Sequence, residues 1–146
     1  MMSNSLSPEL YRVIDANLNR LKEGIRVVED IMRYYDNNKE ISLQLKALRH
    51  LAKVTDTEKF LYYRDSKSDV LRSSIKSEQN RDTLQSIMTA NFKRAQESAR
   101  VLEELYKLEN IEYSENFKYI RYELYHLEKQ VILQTQELKK ATSNSK

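Results

Sequence analysis

The sequence has no cysteine, and its 146 residues include only one glycine and one proline. Without cysteine the chain has no disulfide, no thiolate zinc site and no cysteine nucleophile. A sheet of short strands needs frequent turn residues, which a single glycine and a single proline do not provide. With 40% apolar and 32% charged residues, the composition therefore predicts an all-α protein built from long helices.

A long hydrophobic run is also missing, so neither a signal peptide nor a membrane-spanning helix is predicted. No charge of one sign dominates, because 25 basic and 22 acidic residues are interleaved and leave a formal charge of +3. This pattern is not that of a polycationic arm for nucleic acid. We therefore expect a cytoplasmic protein of one domain, with no nucleic-acid or membrane partner.

The first helix has a clear start and a continuous apolar stripe. Ser7 is a capping residue, and Pro8 follows it at the first helical position. Apolar residues then recur every three or four positions, which is typical of one buried helix face. The stripe consists of Tyr11, Ile14, Leu18, Leu21, Ile25, Val28, Met32 and Tyr35.

The remaining chain is predicted to form a second helix from Ile41, which restarts or extends after Thr55, and two further helices. These two cover residues 82–108 and 115–139, around a turn at Asn110 and Ser114. The predicted organisation is one helical domain at 7–140, with halves at 8–63 and 82–139, a linking loop at 64–81 and frayed tails at 1–6 and 141–146.

The two halves repeat each other in sequence. The stretches "ANLNRLKEGIRVVED" at 16–30 and "ANFKRAQESARVLEE" at 90–104 coincide at seven of fifteen positions. The second helices echo this relation, since "LKALR" at 45–49 resembles "FKYIR" at 117–121. We predict a bundle in which two helical hairpins pack about a pseudo-twofold axis.

The repeated polar residues raise a question about the helix interior. On a helix with about 100° per residue, Arg20 and Arg94 fall among apolar neighbours, and an unpartnered buried arginine is costly. One interpretation is a polar clamp in each half, in which Glu23 or Glu97 neutralises the arginine and a nearby asparagine completes the cluster. The other is a binding site for an anion. The asparagines in question are Asn17 and Asn91.

Further charged residues favour the anion. Arg49 and Arg121 occupy matching places on the second helices, and four convergent arginines suit phosphate oxygens. The loop "RDSKSD" at 64–69 adds Arg64 and two acids that could hold Mg²⁺ beside a nucleotide, although such a loop is often simply solvated. The two acids are Asp65 and Asp69.

Other site types are weaker. Glu123 and His126 form one Glu-x-x-His pair, whereas a di-iron carboxylate bundle needs two such pairs. A single glycine excludes a glycine-rich phosphate loop. The ten tyrosines lie at helical intervals and are expected mainly in the core and at its rim, with pairs that could stack on a pyrimidine ring.

The motifs "RVIDANLNRLKEGIRVVEDIMRYY", "LKALRH", "RDSKSDV", "ANFKRAQESARVLEELYKL" and "IRYELYHLEK", in this order, resemble the helical alternative hydroxymethylpyrimidine phosphate kinase family. Members of that family occur alone or fused in front of thiamine-phosphate synthase. The resemblance covers about residues 9–133 and implies a role in thiamine biosynthesis. The implied reaction is phosphoryl transfer from ATP, with Mg²⁺, to 4-amino-5-hydroxymethyl-2-methylpyrimidine phosphate, which gives the diphosphate.

The resemblance also implies which residues carry this activity. Glu23, Glu97 and Asp65 are the implied catalytic acids, and Asp65 and Asp69 the implied Mg²⁺ ligands. The implied substrate and phosphate ligands are Asn17, Arg20, Arg49, Arg64, Asn91, Lys93, Arg94 and Arg121.

The loop departs from the family pattern. Family members commonly carry a Pro-Gly pair in the loop and a glycine after Asp-Val, whereas this chain has residues 66–68 as Ser-Lys-Ser and Leu71. The sequence contains the helical part only, so we expect the kinase step and not the synthase reaction. Two alternatives stay open: a non-catalytic module that binds a pyrimidine phosphate or a thiamine-phosphate synthase partner, and a structural bundle that dimerises through an apolar strip.

Overall fold

In the computed structural model the chain is all-helical, as the composition predicts. The structure describes residues 6–55, 57–74 and 82–144, and within them there is no strand. In chain order the helices are α1 Pro8–Asp30, a π-helical turn Ile31–Tyr35, α2 Lys39–Leu51, α3 Thr57–Tyr63, α4 Leu84–Tyr106 and α5 Ile111–Asn144. None of these helices is both long and apolar enough to cross a membrane.

Helix α1 starts where the sequence predicts. The Ser7 hydroxyl accepts a hydrogen bond from the Leu10 N–H at 3.2 Å, and Pro8 is the first helical residue. Leu6, placed in the predicted frayed tail, is instead buried with the core and occupies the position of a hydrophobic staple. The rest of that tail lies outside the described residues, as do 75–81 of the predicted loop.

Helix α5 begins earlier and ends later than predicted. Asn110 caps the helix, because the Asn110 Oδ1 accepts from the Tyr113 N–H at 3.1 Å, and Ser114, predicted in the turn, lies inside the helix. The Ser114 hydroxyl is buried and donates to the Glu103 carbonyl at 2.7 Å, which ties α5 to the end of α4. The helix continues to Asn144, five residues beyond its predicted end.

The predicted apolar stripe of α1 is buried from Tyr11 to Met32. The prediction is wrong for Tyr35, the last residue of that stripe, because this residue is 75% exposed. In the π-helical turn the Asp36 N–H donates to the Ile31 carbonyl, five residues back, so each residue advances the helix by a smaller angle than in an α-helix. The turn therefore rotates Tyr35 away from the stripe.

The bundle is organised around the contact between α1 and α4. Helix α4 also packs against α5, and α2 and α3 pack against α1. At Gly24 the two long helices come so close that a Cβ atom would stand 2.8 Å from the Asn91 carbonyl oxygen and 3.3 Å from the Ala95 Cβ. The helical bundle is thereby confirmed, whereas the repeat halves, their pseudo-twofold axis and the domain limits stay predictions.

We expect Gly24→Ala to destabilise the fold by about 1–3 kcal/mol, since the added methyl group meets backbone and cannot be relieved by a rotamer change. Helix propensity alone would have the opposite sign, a gain of about 1 kcal/mol. Urea unfolding measures the difference. Glu23→Ala, at the neighbouring exposed position, is the control and should change stability by about 0.5 kcal/mol or less. A more stable Gly24→Ala protein would contradict the close contact.

Candidate functional site: an arginine groove

Two adjoining cavities run along α1 and meet at one loop. The first, about 620 Å³, lies between the N-terminal half of α1 and loop residues 64–70, and we call it the loop lobe. The second, about 720 Å³, lies between α1, α4 and loop residues 66–74, and we call it the helix lobe. Arg20, Ser66 and Asp69 line both lobes, so that together they form one continuous arginine groove.

The loop is fastened to α1 by an ion pair. Arg64 donates from Nε and Nη2 to the two carboxylate oxygens of Asp15, each at 2.7 Å. Asp15 is buried and also accepts from the Asn19 side chain at 3.1 Å. These hydrogen bonds raise the pKa of Arg64 further above its ordinary value. Arg64, implied as a phosphate ligand, thus uses the Nε and Nη2 donors of its guanidinium to hold the loop against α1.

The loop forms its turns without glycine. The Asp65 Oδ1 accepts from the Ser68 N–H at 3.1 Å, and the Asp69 Oδ1 accepts from the Leu71 N–H at 2.9 Å. The second of these is an Asx turn, and both bonds let an aspartate side chain fix the turn where a glycine is missing. In the described part of the chain a positive φ occurs only at Asn37, which lies outside this loop. The absence of a Pro-Gly pair therefore imposes no backbone strain here.

Arg20 and Arg94 do not enter the interior, contrary to the prediction from the helix projection. Both are exposed, and both line the helix lobe, one from α1 and the other from α4. The close contact at Gly24 leaves no room for a guanidinium between the helices, so the side chains leave along its edge. Within the described residues neither arginine has an ion pair or side-chain hydrogen bond, which means that the polar clamps do not form.

Glu23 and Glu97 separate in the structure. Glu97 lines the helix lobe, whereas Glu23 is exposed and lines neither lobe. Of the implied catalytic acids, Glu97 and Asp65 therefore reach the groove and Glu23 does not.

Arg49 and Arg121 are committed to buried carboxylates away from the groove. Arg49 donates to both oxygens of Glu29, at 2.6 and 3.0 Å, and this hydrogen bonding raises the pKa of Arg49. Arg121 donates from Nε and Nη2 to Oε1 of Glu103, at 3.0 and 2.9 Å. The expected convergence of four arginines on one ligand is thus wrong, because these two neutralise interior charge.

Not all of the remaining implied ligands reach the groove; these are Asn17, Asn91 and Lys93. Asn17 lines the helix lobe and donates from Nδ2 to the Val13 carbonyl at 2.9 Å, which leaves its Oδ1 as the acceptor. Asn91 makes the same bond to the Ile87 carbonyl at 2.8 Å but lines neither lobe. Lys93 points toward α5, where its Nζ lies 3.4 Å from a Glu128 carboxylate oxygen.

Two arginines of the groove were missed from the sequence. Arg12 lies two helical turns before Arg20 and lines the loop lobe. This spacing along α1 was a usable signal. Arg72 lines the helix lobe from the loop, where no periodic pattern exists to indicate its direction.

The described residues contain no group of three or more Asp, Glu or His side chains close enough to hold a metal ion by themselves. Asp65 and Asp69 nevertheless both line the loop lobe, and each has a second carboxylate oxygen outside its turn. Mg²⁺ usually binds through one or two carboxylates together with substrate phosphates. The two aspartates fit that kind of shared site.

Comparison with known proteins identifies the family of the chain. The chain matches the ThiD2 family over residues 12–130 and belongs to that family. It is 39% identical over 125 residues to a protein of Thermosynechococcus vestitus named thiamine-phosphate synthase, covering 85% of this chain and 36% of the relative. Similarly named proteins of Nostoc punctiforme and Rhodopirellula baltica are 36% and 33% identical, covering 82% and 85% of this chain and 34% of each relative.

The chain spans about a third of the length of these relatives. No solved structure matches it. The family and the relatives link the chain to thiamine biosynthesis.

We expect Glu103→Gln to destabilise the fold by about 3 kcal/mol, because it leaves Arg121 half-buried without a charged partner. The adjacent Glu104→Gln is a matched control, since the Glu104 side chain is 46% exposed and that of Glu103 only 6%. Urea unfolding compares the two variants. Equal losses would show that the pair has no interior role.

We expect Asp15→Asn to loosen the loop, since the amide cannot form the charged bidentate contact with Arg64. Amide hydrogen exchange over residues 65–70 should become about tenfold faster, which corresponds to about one lost charge-assisted hydrogen bond. Asp30→Asn is the control, because that carboxylate pairs with Arg26 within α1. Unchanged loop exchange in Asp15→Asn would contradict the fastening role.

Proposed function

We propose that the chain transfers a phosphoryl group from ATP to hydroxymethylpyrimidine phosphate and so provides the diphosphate for thiamine biosynthesis. One observation carries the proposal. Arg20, Arg72 and Arg94 come from three different segments, line one cavity, and have no carboxylate partner within the described residues. Family membership and the names of the relatives support the pathway.

The chemistry of this transfer matches what such a groove can supply. Phosphoryl transfer depends mainly on positioning and on stabilising charge that spreads over phosphate oxygens. The acceptor is itself a phosphate with a second pKa of about 6, so it is largely ionised at neutral pH and needs no strong base. Glu97 and Asp65 would then orient arginines and ligand rather than remove a proton.

Exposure of the arginines limits the strength of each contact. An isolated ion pair in contact with water is worth about 0–1 kcal/mol, so one arginine alone does not provide tight binding. A phosphate that several arginines hold together by charge-assisted hydrogen bonds gains more from each of them. A ligand with several phosphate groups reaches several guanidinium groups at once and gains from each. The groove therefore favours polyphosphates over isolated monophosphates.

Mg²⁺ would be held by Asp65 and Asp69 together with phosphate oxygens. When bound, the ion would neutralise part of the negative charge on the phosphates. The loop turns at these two residues keep both carboxylates on the groove side of the loop, where the phosphates would lie.

A second candidate is a non-catalytic module that binds a pyrimidine phosphate or a thiamine-phosphate synthase partner. Its supporting observation is the length of the relatives, in which this chain corresponds to about a third. Such a module would keep the arginine groove but would not consume ATP.

Incubation with the pyrimidine monophosphate, ATP and Mg²⁺ should yield ADP and the pyrimidine diphosphate. Arg94→Met should lower kcat/KM by about 10-fold to 100-fold, the cost of one or two charge-assisted hydrogen bonds. Arg100→Met is the matched control on α4, because Arg100 pairs with Glu103 and Glu104 outside the groove. Its kcat/KM should stay within about twofold of wild type.

The same assay separates the two candidates. No ADP formation, together with a rise in Tm on addition of the pyrimidine monophosphate, would reject the kinase and support the binding module. Equal loss of activity in Arg94→Met and Arg100→Met would show that the groove has no special part in turnover.

A further inference from the structure

The two lobes of the arginine groove differ in chemistry. The loop lobe has an apolar wall made by Val13, Ala16 and Val70. The lobe is also lined by carboxylates that have no guanidinium partner within the described residues. These are Glu9, Asp65 and Asp69. The loop lobe is also lined by Arg12, Arg20 and Arg64, but Arg64 is paired with Asp15, and the four acids that line this lobe outnumber its three arginines. The lobe therefore combines a surface for a flat ring with an excess of hydrogen-bond acceptors.

The helix lobe is instead rich in donors for phosphate. Its arginines are Arg20, Arg72 and Arg94, and its hydroxyl groups come from three serines, while Asp69 and Glu97 are its only acids among the described residues. Guanidinium forks and hydroxyl groups are the usual side-chain donors to phosphate oxygens. The charges that line this lobe sum to a positive value.

We infer that the lobes bind different parts of the reactants, an inference that rests on the proposed function. The helix lobe takes the polyphosphate of a nucleoside triphosphate, and the loop lobe takes the amino-substituted pyrimidine ring of the acceptor. A ring amine only donates when its lone pair is delocalised, and carboxylates only accept, so the two are complementary. The apolar wall covers the face of the ring.

Arg20 then occupies the place where the two reactants meet. Of the arginines in the described residues, it alone lines both lobes. In the transfer, an oxygen of the acceptor phosphate forms a bond to the γ-phosphorus, and the bond from that phosphorus to the bridging oxygen breaks. The electron pair of that bond leaves with ADP, and the transferred group passes beside the Arg20 guanidinium. Arg20 is thus the catalytic residue of the groove.

Isothermal titration with two separate probes tests the assignment without requiring turnover. Inorganic tripolyphosphate has no ring, and the pyrimidine monophosphate has only one phosphate. Arg94→Met should weaken tripolyphosphate binding at least about tenfold and leave the pyrimidine phosphate within about twofold. Val70→Ser and Glu9→Gln should do the reverse, and both variants leave the proposed Mg²⁺ ligands Asp65 and Asp69 unchanged. Arg20→Met should weaken both probes.

All of these side chains are exposed, so the variants should fold like wild type, which circular dichroism and Tm verify. Arg26→Met, outside the groove, should bind both probes normally. If Arg94→Met and Glu9→Gln weaken both probes alike, or if wild type binds neither, the lobe assignment is overturned. If the variants give the expected binding pattern but no ADP forms, the kinase activity is rejected and the lobe assignment stands. If ADP forms but the binding pattern is reversed, the kinase activity stands and the lobe assignment is rejected.

Discussion

The close contact between α1 and α4 at Gly24 determines where the charged side chains of this bundle can go. Because Gly24 has no Cβ, the backbone of α1 lies directly against the Asn91 carbonyl of α4. Arg20 stands one turn from Gly24, and Arg94 precedes Ala95, the other residue of the contact. No space for a guanidinium exists inside the contact. Both arginines therefore emerge at its edge, where the loop crosses, and the groove is a consequence of how tightly the two helices pack.

The buried carboxylates of the bundle are neutralised by arginines other than those that line the helix lobe of the groove. Glu29 and Glu103 are buried, and each is met by an arginine from the neighbouring helix, Arg49 or Arg121. A buried carboxylate without such a partner would be strongly destabilising, so these arginines cannot be released to a ligand at low cost. Within the described residues Arg20, Arg72 and Arg94 of the groove have no carboxylate partner, so their charge is available to a ligand. Two arginine sets that look alike in sequence thus have opposite roles.

The sequence predicts helix starts and core stripes better than it predicts this division. Pro8 and the stripe from Tyr11 to Met32 follow from local rules of capping and periodicity, which tertiary packing does not disturb. The burial of Arg20 was predicted wrongly because a helix projection treats a neighbouring position such as Val27 as core, whereas Val27 is 37% exposed. The partners of Arg49 and Arg121 lie on other helices, and Arg72 lies in a loop without periodicity, so local patterns could not place any of them.

The exposure of the groove also determines what length of ligand can bind tightly. Arginines that face water repel one another weakly and bind single charges weakly, since solvent screens both effects. Their spacing over α1, the loop and α4 gives an advantage only to a ligand long enough to contact several of them together. A triphosphate meets that requirement, and a monophosphate does so only with a second reactant beside it. The loop held by Arg64 and Asp15 supplies the third wall, so the contact that fastens the loop to α1 also assembles the groove.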